Sequence, residues 1–279
     1  MRTVLVIANE TVGGRPLIDA VRRYAAEQET RFVLCVPQTR PRAGYVIYDD
    51  AVFDAAQARV DLALGFMRSE GINAVGEVGD PDPYAAAVDA VGEYDPDAII
   101  ISTYPEARSG WQRRDLIDRL REASGLPVEH VVTDIESEGL SFHITLAVAN
   151  RTASGNELLD ALQAKAAEQS DSHERLFIVV VPQEGGDGNA TRRARTRLSL
   201  ILGRLRESGL TAAGVIGDPD PYTAIMNAMA SFRVDDIVIS TFAATRSGWL
   251  RADLIQRVRN GTGKPVEHVV HRESSPTSA

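Results

Sequence analysis

Long apolar runs recur along the chain, and most of them lack the alternation of apolar and polar residues that marks a half-exposed strand. In the first half they cover residues 4–8, 31–36, 72–78, 98–102 and 128–132. Segments with apolar residues at helical spacing lie between them, over residues 16–28, 51–69, 83–94 and 109–123. Unbroken apolar strands that alternate with helices are typical of parallel sheets covered on both faces. The pattern therefore predicts an α/β fold with an open, doubly wound, five-stranded sheet.

The second half of the chain repeats the first. Residues 76–132 align with residues 214–270 without a gap at an offset of 138, and 31 of the 57 aligned positions are identical. The longest shared segments are Gly-Asp-Pro-Asp-Pro-Tyr (79–84 and 217–222), Arg-Ser-Gly-Trp (108–111 and 246–249) and Pro-Val-Glu-His-Val-Val (127–132 and 265–270). The repeat predicts two similar domains in tandem, each with the same strands and helices.

We expect the first copy to span residues 1–135 and the second copy to span residues 141–272. The polar, acidic residues 133–139 are typical of a short linker, and the Ser/Pro-rich residues 273–279 of a frayed tail.

Composition narrows the range of partners. The 279 residues include 30 Lys and Arg against 39 Asp and Glu, a formal net charge of −9, which disfavours nucleic acid as a partner. The single Cys35 excludes an intrachain disulfide and a cysteine-based zinc site. No apolar run reaches the roughly 18 residues of a membrane helix. We therefore expect no membrane partner and a cytoplasmic location.

Candidate ligand-binding residues lie at the carboxyl ends of the predicted strands, because doubly wound sheets bind ligands there. In the first copy they are Asn9, Thr11, Val36, Ser102, Thr103, Arg108, Ser109 and Gly110. Their counterparts in the second copy are Asn150, Thr152, Val181, Ser240, Thr241, Arg246, Ser247 and Gly248.

The loop after the fourth strand is the strongest candidate for an anion site. Ser109 and Ser247 suit the N-cap of the next helix, whose free N–H groups and dipole favour a phosphate or carboxylate. Arg108 and Arg246 would add guanidinium donors. The alternative is a structural loop, in which the serine only starts the helix and the arginine is solvated.

The residues that follow this loop predict a packed helix. Trp111 and Trp249 come directly after the Arg-Ser-Gly segments, and Leu116, Ile117 and Leu120 continue the apolar stripe at helical spacing. We expect both indoles to be buried against their sheets.

Two other repeated motifs have structural explanations that we favour. Asp82 and Asp220 precede a proline and are predicted N-caps, although paired carboxylates also suit Mg²⁺ or acid–base chemistry. His130 and His268 lie inside the fifth strands without further metal ligands nearby in sequence, so we expect packed or hydrogen-bonded histidines. No nucleophile-elbow, Walker A or dinucleotide-binding glycine motif follows a strand, and we expect no catalysis and no metal.

The order of these segments resembles the universal stress proteins. The resemblance rests on Val-Leu-Val-Ile-Ala-Asn (4–9), Gly-Asp-Pro before a helix, Asp-Ala-Ile-Ile-Ile-Ser-Thr (97–103), Arg-Ser-Gly, and Pro-Val-Glu-His-Val-Val, and it covers nearly the whole chain. It implies five-stranded domains like those of adenine-nucleotide hydrolases, which pair through their last strands. The two copies would then pack as an intramolecular pseudo-dimer, with further homo-oligomers open.

Some members of that family bind ATP, and this chain departs from their pattern. Asn9 and Asn150 stand where those members have an aspartate, and Ser102 and Ser240 replace the first glycine of their phosphate loop. Helical residues at 116–118 and 254–256 occupy the place of its last glycine.

Three functions remain open at this stage. The resemblance implies a non-catalytic stress-response protein that binds a nucleotide or another small anion weakly, with ATP or AMP as the candidate ligands. The alternatives are an interaction module without a small ligand and, third, a nucleotide-hydrolysing or adenylating enzyme.

Overall fold

The structure, a computed structural model, describes residues 1–38, 49–105, 113–152, 155–168, 173–185, 188–243 and 253–271. These residues divide into two compact units, one that ends at Phe142 and one that begins at His143.

The first copy contains five strands and four helices within the described residues. The strands are β1 (Arg2–Ile7), β2 (Thr30–Pro37), β3 (Ala74–Gly79), β4 (Ala98–Thr103) and β5 (Val128–Val132). The helices are α1 (Arg15–Glu27), α2 (Asp49–Ser69), α3 (Pro83–Tyr94) and α4 (Arg113–Ser124). Each element lies within a few residues of the segment that the apolar pattern predicts.

The second copy repeats this succession. Its strands are β6 (Phe142–Val148), β7 (Glu174–Pro182), β8 (Ala212–Gly217), β9 (Asp236–Phe242) and β10 (Val266–His271). Its helices are α5 (Asn156–Ala167), α6 (Gly188–Glu207), α7 (Pro221–Ser231) and α8 (Leu254–Thr262).

Both sheets have the same strand order. The first runs β3-β2-β1-β4-β5 and the second runs β8-β7-β6-β9-β10, with parallel pairing. This confirms the predicted fold class of two tandem, doubly wound, five-stranded α/β sheets. Pairing of the two copies through β5 and β10 stays a prediction.

Burial explains why the strands lack alternation. Successive residues Val4–Ile7 of β1 and Ile99–Ile101 of β4 are all fully buried, so both faces of the sheet are covered. On one face, β1 and β4 pack with Ala87 of α3 and Leu120 of α4. The predicted stripe of α4 is therefore a core contact.

The Gly-Asp-Pro-Asp-Pro-Tyr segments form tight turns into α3 and α7. A Cβ on Gly79 would lie 2.6 Å from Sγ of Cys35 and one on Gly217 would lie 2.6 Å from Cβ of Ala224, so a side chain would clash at either glycine. The Asp82 carboxylate accepts a hydrogen bond from the backbone N–H of Tyr84, and Asp220 accepts one from Thr223. The N-cap prediction for both aspartates is confirmed.

The start of α8 is set by the backbone of one residue. The repeat predicts a helix from Ser247 onward; residues 244–252 lie outside the described residues, and α8 begins at Leu254. Asp253 has φ = 51°, a left-handed conformation that cannot belong to a right-handed helix, and α8 starts directly after it. The predicted burial of Trp111 and Trp249 concerns positions outside the described residues.

The segment between the copies has a polar composition, but its apolar side chains are buried. Ile135, Leu140 and Phe142 are buried, and Leu140 forms an antiparallel bridge with Gly14. The segment therefore packs against the loop after β1 and does not behave as a solvated linker.

Candidate functional site

The carboxyl ends of the central strands form the predicted site in each copy. β1 and β4 are neighbours in the first sheet, and β6 and β9 are neighbours in the second. From β1 the chain continues to β2 on one side, and from β4 it continues to β5 on the other. Such a switch point opens a crevice at the carboxyl ends of the strands.

An asparagine–arginine pair lies at the switch point of both copies. Oδ1 of Asn9 accepts a hydrogen bond of 3.0 Å from Nη1 of Arg59 on α2. Oδ1 of Asn150 accepts one of 2.6 Å from Nη1 of Arg197 on α6. Arg59 and Arg197 are separated by the repeat offset of 138, so the contact is duplicated. The amide orients the guanidinium group without neutralising its charge.

Two threonines tie the loop after the first strand to the fourth strand. Oγ1 of Thr11 donates to the backbone carbonyl of Ser102 at 3.3 Å, and Oγ1 of Thr152 donates to that of Ser240 at 3.1 Å. Both threonines are buried. Their hydroxyl groups fix the loop after the first strand against the fourth strand, which is a structural role.

The threonines that end the fourth strands bind the histidines of the fifth strands. Oγ1 of Thr103 donates to the carbonyl of Tyr104 and lies 2.8 Å from Nε2 of His130. The hydroxyl group and the imidazole therefore form a hydrogen bond whose direction depends on the histidine tautomer. Thr241 and His268 make the same contact at 2.8 Å, and burial lowers the pKa of His268. The prediction of hydrogen-bonded histidines is confirmed.

Beside these threonines the two copies differ. Oγ of Ser102 lies 3.0 Å from Oγ1 of the buried Thr133. The repeat offset places His271 at the position of Thr133 in the second copy. Nδ1 of His271 lies 2.8 Å from Oε2 of Glu157, and its ring packs edge-on against Phe242.

In the first copy the arginine of the pair is accompanied by carboxylates. Arg59 is buried, and burial lowers its pKa while the charge of Glu10 raises it. Burial is also the main reason why the pKa of Tyr104 is raised, and the nearby carboxylate of Glu10 adds to that shift. The carboxylates of Glu10 and Glu136 thus both act on the phenol of Tyr104, and that of Glu10 also acts on Arg59.

In the second copy the switch point carries an additional positive charge. Nη2 of Arg197 lies 3.2 Å from Oε2 of Glu184, and Nε of Arg151 lies 3.8 Å from Oε1 of the same carboxylate. The Arg151 side chain is 70% exposed. Two guanidinium groups therefore share one carboxylate.

The other candidate residues contribute little side-chain chemistry. Val36 and Val181 are fully buried at the ends of β2 and β7, so only their backbone groups are available to a ligand. Arg108, Ser109, Gly110, Arg246, Ser247 and Gly248 lie outside the described residues. Burial raises the pKa of the Cys35 thiol to about 12, which makes the thiol unreactive in the folded protein.

Within the part of the chain that the structure describes, no three His, Cys, Asp or Glu side chains are arranged to hold a metal ion. Over the same residues, none of the helices is both long and apolar enough to cross a bilayer.

The sequence interpretation missed Arg59 and Arg197. Both lie before the gap-free alignment of the copies, which begins at residue 76 in the first copy. The available signal was an arginine at the repeat offset of 138 on the helix that follows the second strand of each copy.

Comparison with known proteins gives structural similarity only. No protein-family model matches the chain, and no curated protein matches it significantly. A universal stress protein from Archaeoglobus fulgidus DSM 4304 is similar over 98% of this chain and 97% of its own, with 13% identity and a TM-score of 0.33. A putative universal stress protein from Pseudomonas aeruginosa UCBPP-PA14 matches over 97% and 94%, with 16% identity and a TM-score of 0.33. A universal stress protein in complex with cAMP matches 48% of this chain and 98% of its own, with 18% identity and a TM-score of 0.33.

Proposed function

We propose that this chain is a non-catalytic, stress-type regulatory protein of the universal stress type that binds a small anion at its switch points. The order of the repeated motifs and the strand order of both sheets support the type. The duplicated asparagine–arginine pair carries the binding proposal. It orients a guanidinium group at the crevice where doubly wound sheets bind ligands.

The contacts of the hydroxyl groups support a non-catalytic role. Thr103 and Thr241 bind the histidines of the neighbouring strand and their own backbone, and Ser102 binds Thr133. A catalytic hydroxyl needs a base that activates it and an open path to the substrate. These hydroxyls are buried and form contacts within the sheet, so they serve the fold.

A nucleotide would bind weakly at these sites. Asn9 and Asn150 already accept hydrogen bonds from arginine, and neither can offer a carboxylate to a ribose hydroxyl. Leu116 and Leu254 are buried core residues where a glycine would be needed for close approach to phosphate. Affinity for ATP or AMP should therefore be of micromolar order or poorer, about −8 kcal/mol at best.

Isothermal titration calorimetry of the full chain with ATP, AMP and inorganic phosphate tests this function. We expect weak binding, no release of phosphate from ATP above the protein-free rate, and weaker binding in Arg197→Ala, which removes the guanidinium group of the second asparagine–arginine pair. Arg206→Ala, at the far end of α6, is the matched control and should bind as the parent does. Absence of binding would instead favour an interaction module, and turnover of ATP would favour an enzyme.

A further inference from the structure

The two switch points differ in charge although their backbones are built alike. Thr11 and Thr152 make the same hydrogen bond to the fourth strand, so the residues before them, Glu10 and Arg151, hold equivalent positions. One is an anion and the other is a cation.

The helices that supply the paired arginines also differ in charge, α2 being acidic and α6 basic. α2 carries four aspartates and two arginines, whereas α6 carries six arginines and one glutamate. Both helices follow the second strand of their sheet, so their first turns lie at its carboxyl edge. In α6 that half includes the exposed residues Arg192, Arg193 and Arg195. Among the described residues, arginines are therefore concentrated near the second switch point, against the overall negative charge of the protein.

Access differs as well. Arg59 is buried beside Glu10 and Tyr104. A quarter of the Arg197 side chain is exposed, and so is most of the Arg151 side chain. A ligand can reach the second guanidinium pair directly, whereas in the first copy it would meet a carboxylate before it met Arg59.

We propose that a phosphate-bearing small molecule binds to the second copy alone, and that Arg151 determines this selectivity. This rests on the anion-binding function proposed above. Arg151 and Arg197 share Glu184, so a phosphate group can take one guanidinium fork while Glu184 keeps the other. In the first copy Glu10 supplies the only charge at the position of Arg151, and it repels the same group.

Calorimetry with ATP at low ionic strength tests the selectivity. We expect one site per chain, and at least a tenfold weaker affinity in Arg151→Glu, which gives the second copy the charge of the first. Arg206→Glu makes the same change of charge near the end of α6, at the opposite edge of the sheet, and should alter affinity less than twofold. Glu10→Gln should leave the stoichiometry at one.

The outcomes separate the two proposals. No binding by the parent protein overturns the anion-binding function and this inference with it. Two equivalent sites per chain, unchanged affinity in Arg151→Glu, or equal losses in Arg151→Glu and Arg206→Glu would leave the function standing and overturn the selectivity.

Discussion

A buried ion pair at the amino-terminal edge of the second sheet should make that copy sensitive to single substitutions. Nη1 of Arg175 on β7 contacts Oδ2 of Asp236 on β9 and donates to Oγ1 of Thr145 on β6 at 2.8 Å. Only 9% of the Arg175 side chain and 12% of the Asp236 side chain are exposed. Removal of either partner leaves a charge in a site that water reaches poorly, which costs about 3–5 kcal/mol.

The first copy shows that the fold accepts a neutral version of this site. The strand registers place Val4 opposite Ala98 and Thr145 opposite Asp236. The pairing of β2 with β3 and of β7 with β8 likewise makes Thr30 the counterpart of Arg175. The double variant Arg175→Thr, Asp236→Ala therefore gives the second copy the residues that the first copy has at these positions, Thr30 and Ala98. It should lose only about 1 kcal/mol, since removal of both charges of a buried pair is often nearly neutral.

Urea unfolding in a Trp111→Phe background measures the difference, because Trp249 then reports the second copy alone. We expect Asp236→Ala and Arg175→Thr each to lower the free energy of unfolding by about 3 kcal/mol. The double variant should recover at least about 2 kcal/mol of that loss, as coupled partners do. Glu168→Ala, which removes an exposed partner of Lys165, is the control and should cost less than about 1 kcal/mol. Additive losses in the double variant would refute the reasoning.

Three further predictions follow from the core and the edge strands. Gly79→Ala should destabilise the protein by about 1–3 kcal/mol in thermal unfolding, whereas Gly92→Ala in α3, where a Cβ meets nothing within 4 Å, should stabilise it by about 0.5–1 kcal/mol. The thiol of Cys35, with its pKa raised to about 12, should resist a thiol reagent at about pH 8 until denaturant is added, and rapid native labelling would contradict its burial. The lowered pKa of His268 means that the unfolded chain binds a proton more readily, so stability should fall as the pH drops below about 6.5, with a shallower fall in His268→Gln.

The elements could be predicted because their signals are local. The runs at residues 4–8 and 98–102 contain no polar interruption, and a strand buried on both faces needs none. The caps at Asp82 and Asp220 could also be predicted, since an N-cap and the proline after it are adjacent in sequence. The start of α8 at Leu254 could not, because it depends on the left-handed backbone at Asp253, a conformation that aspartate adopts without requiring it.

The arrangement of the site was harder to predict because it depends on long-range contacts. Asn9 and Arg59 are 50 residues apart, and Asn150 and Arg197 are 47 apart. Sequence position suggested that the asparagines face a ligand. Their side chains instead accept hydrogen bonds from an arginine on the second helix that follows them in the chain. Only the packing of α2 and α6 against their sheets brings the paired groups together.

The duplication separates what the fold requires from what each copy does. Both copies keep the asparagine–arginine pair, the threonine contact to the fourth strand and the threonine–histidine contact. Contacts that serve packing should be kept in both copies, because each sheet needs them to hold its first, fourth and fifth strands together. The charge of the residue between the asparagine and the threonine is under no such constraint, since neither the half-buried Glu10 nor the exposed Arg151 is part of the core. A charged ligand that approaches the crevice therefore explains the opposite charges of Glu10 and Arg151 better than packing of the fold does.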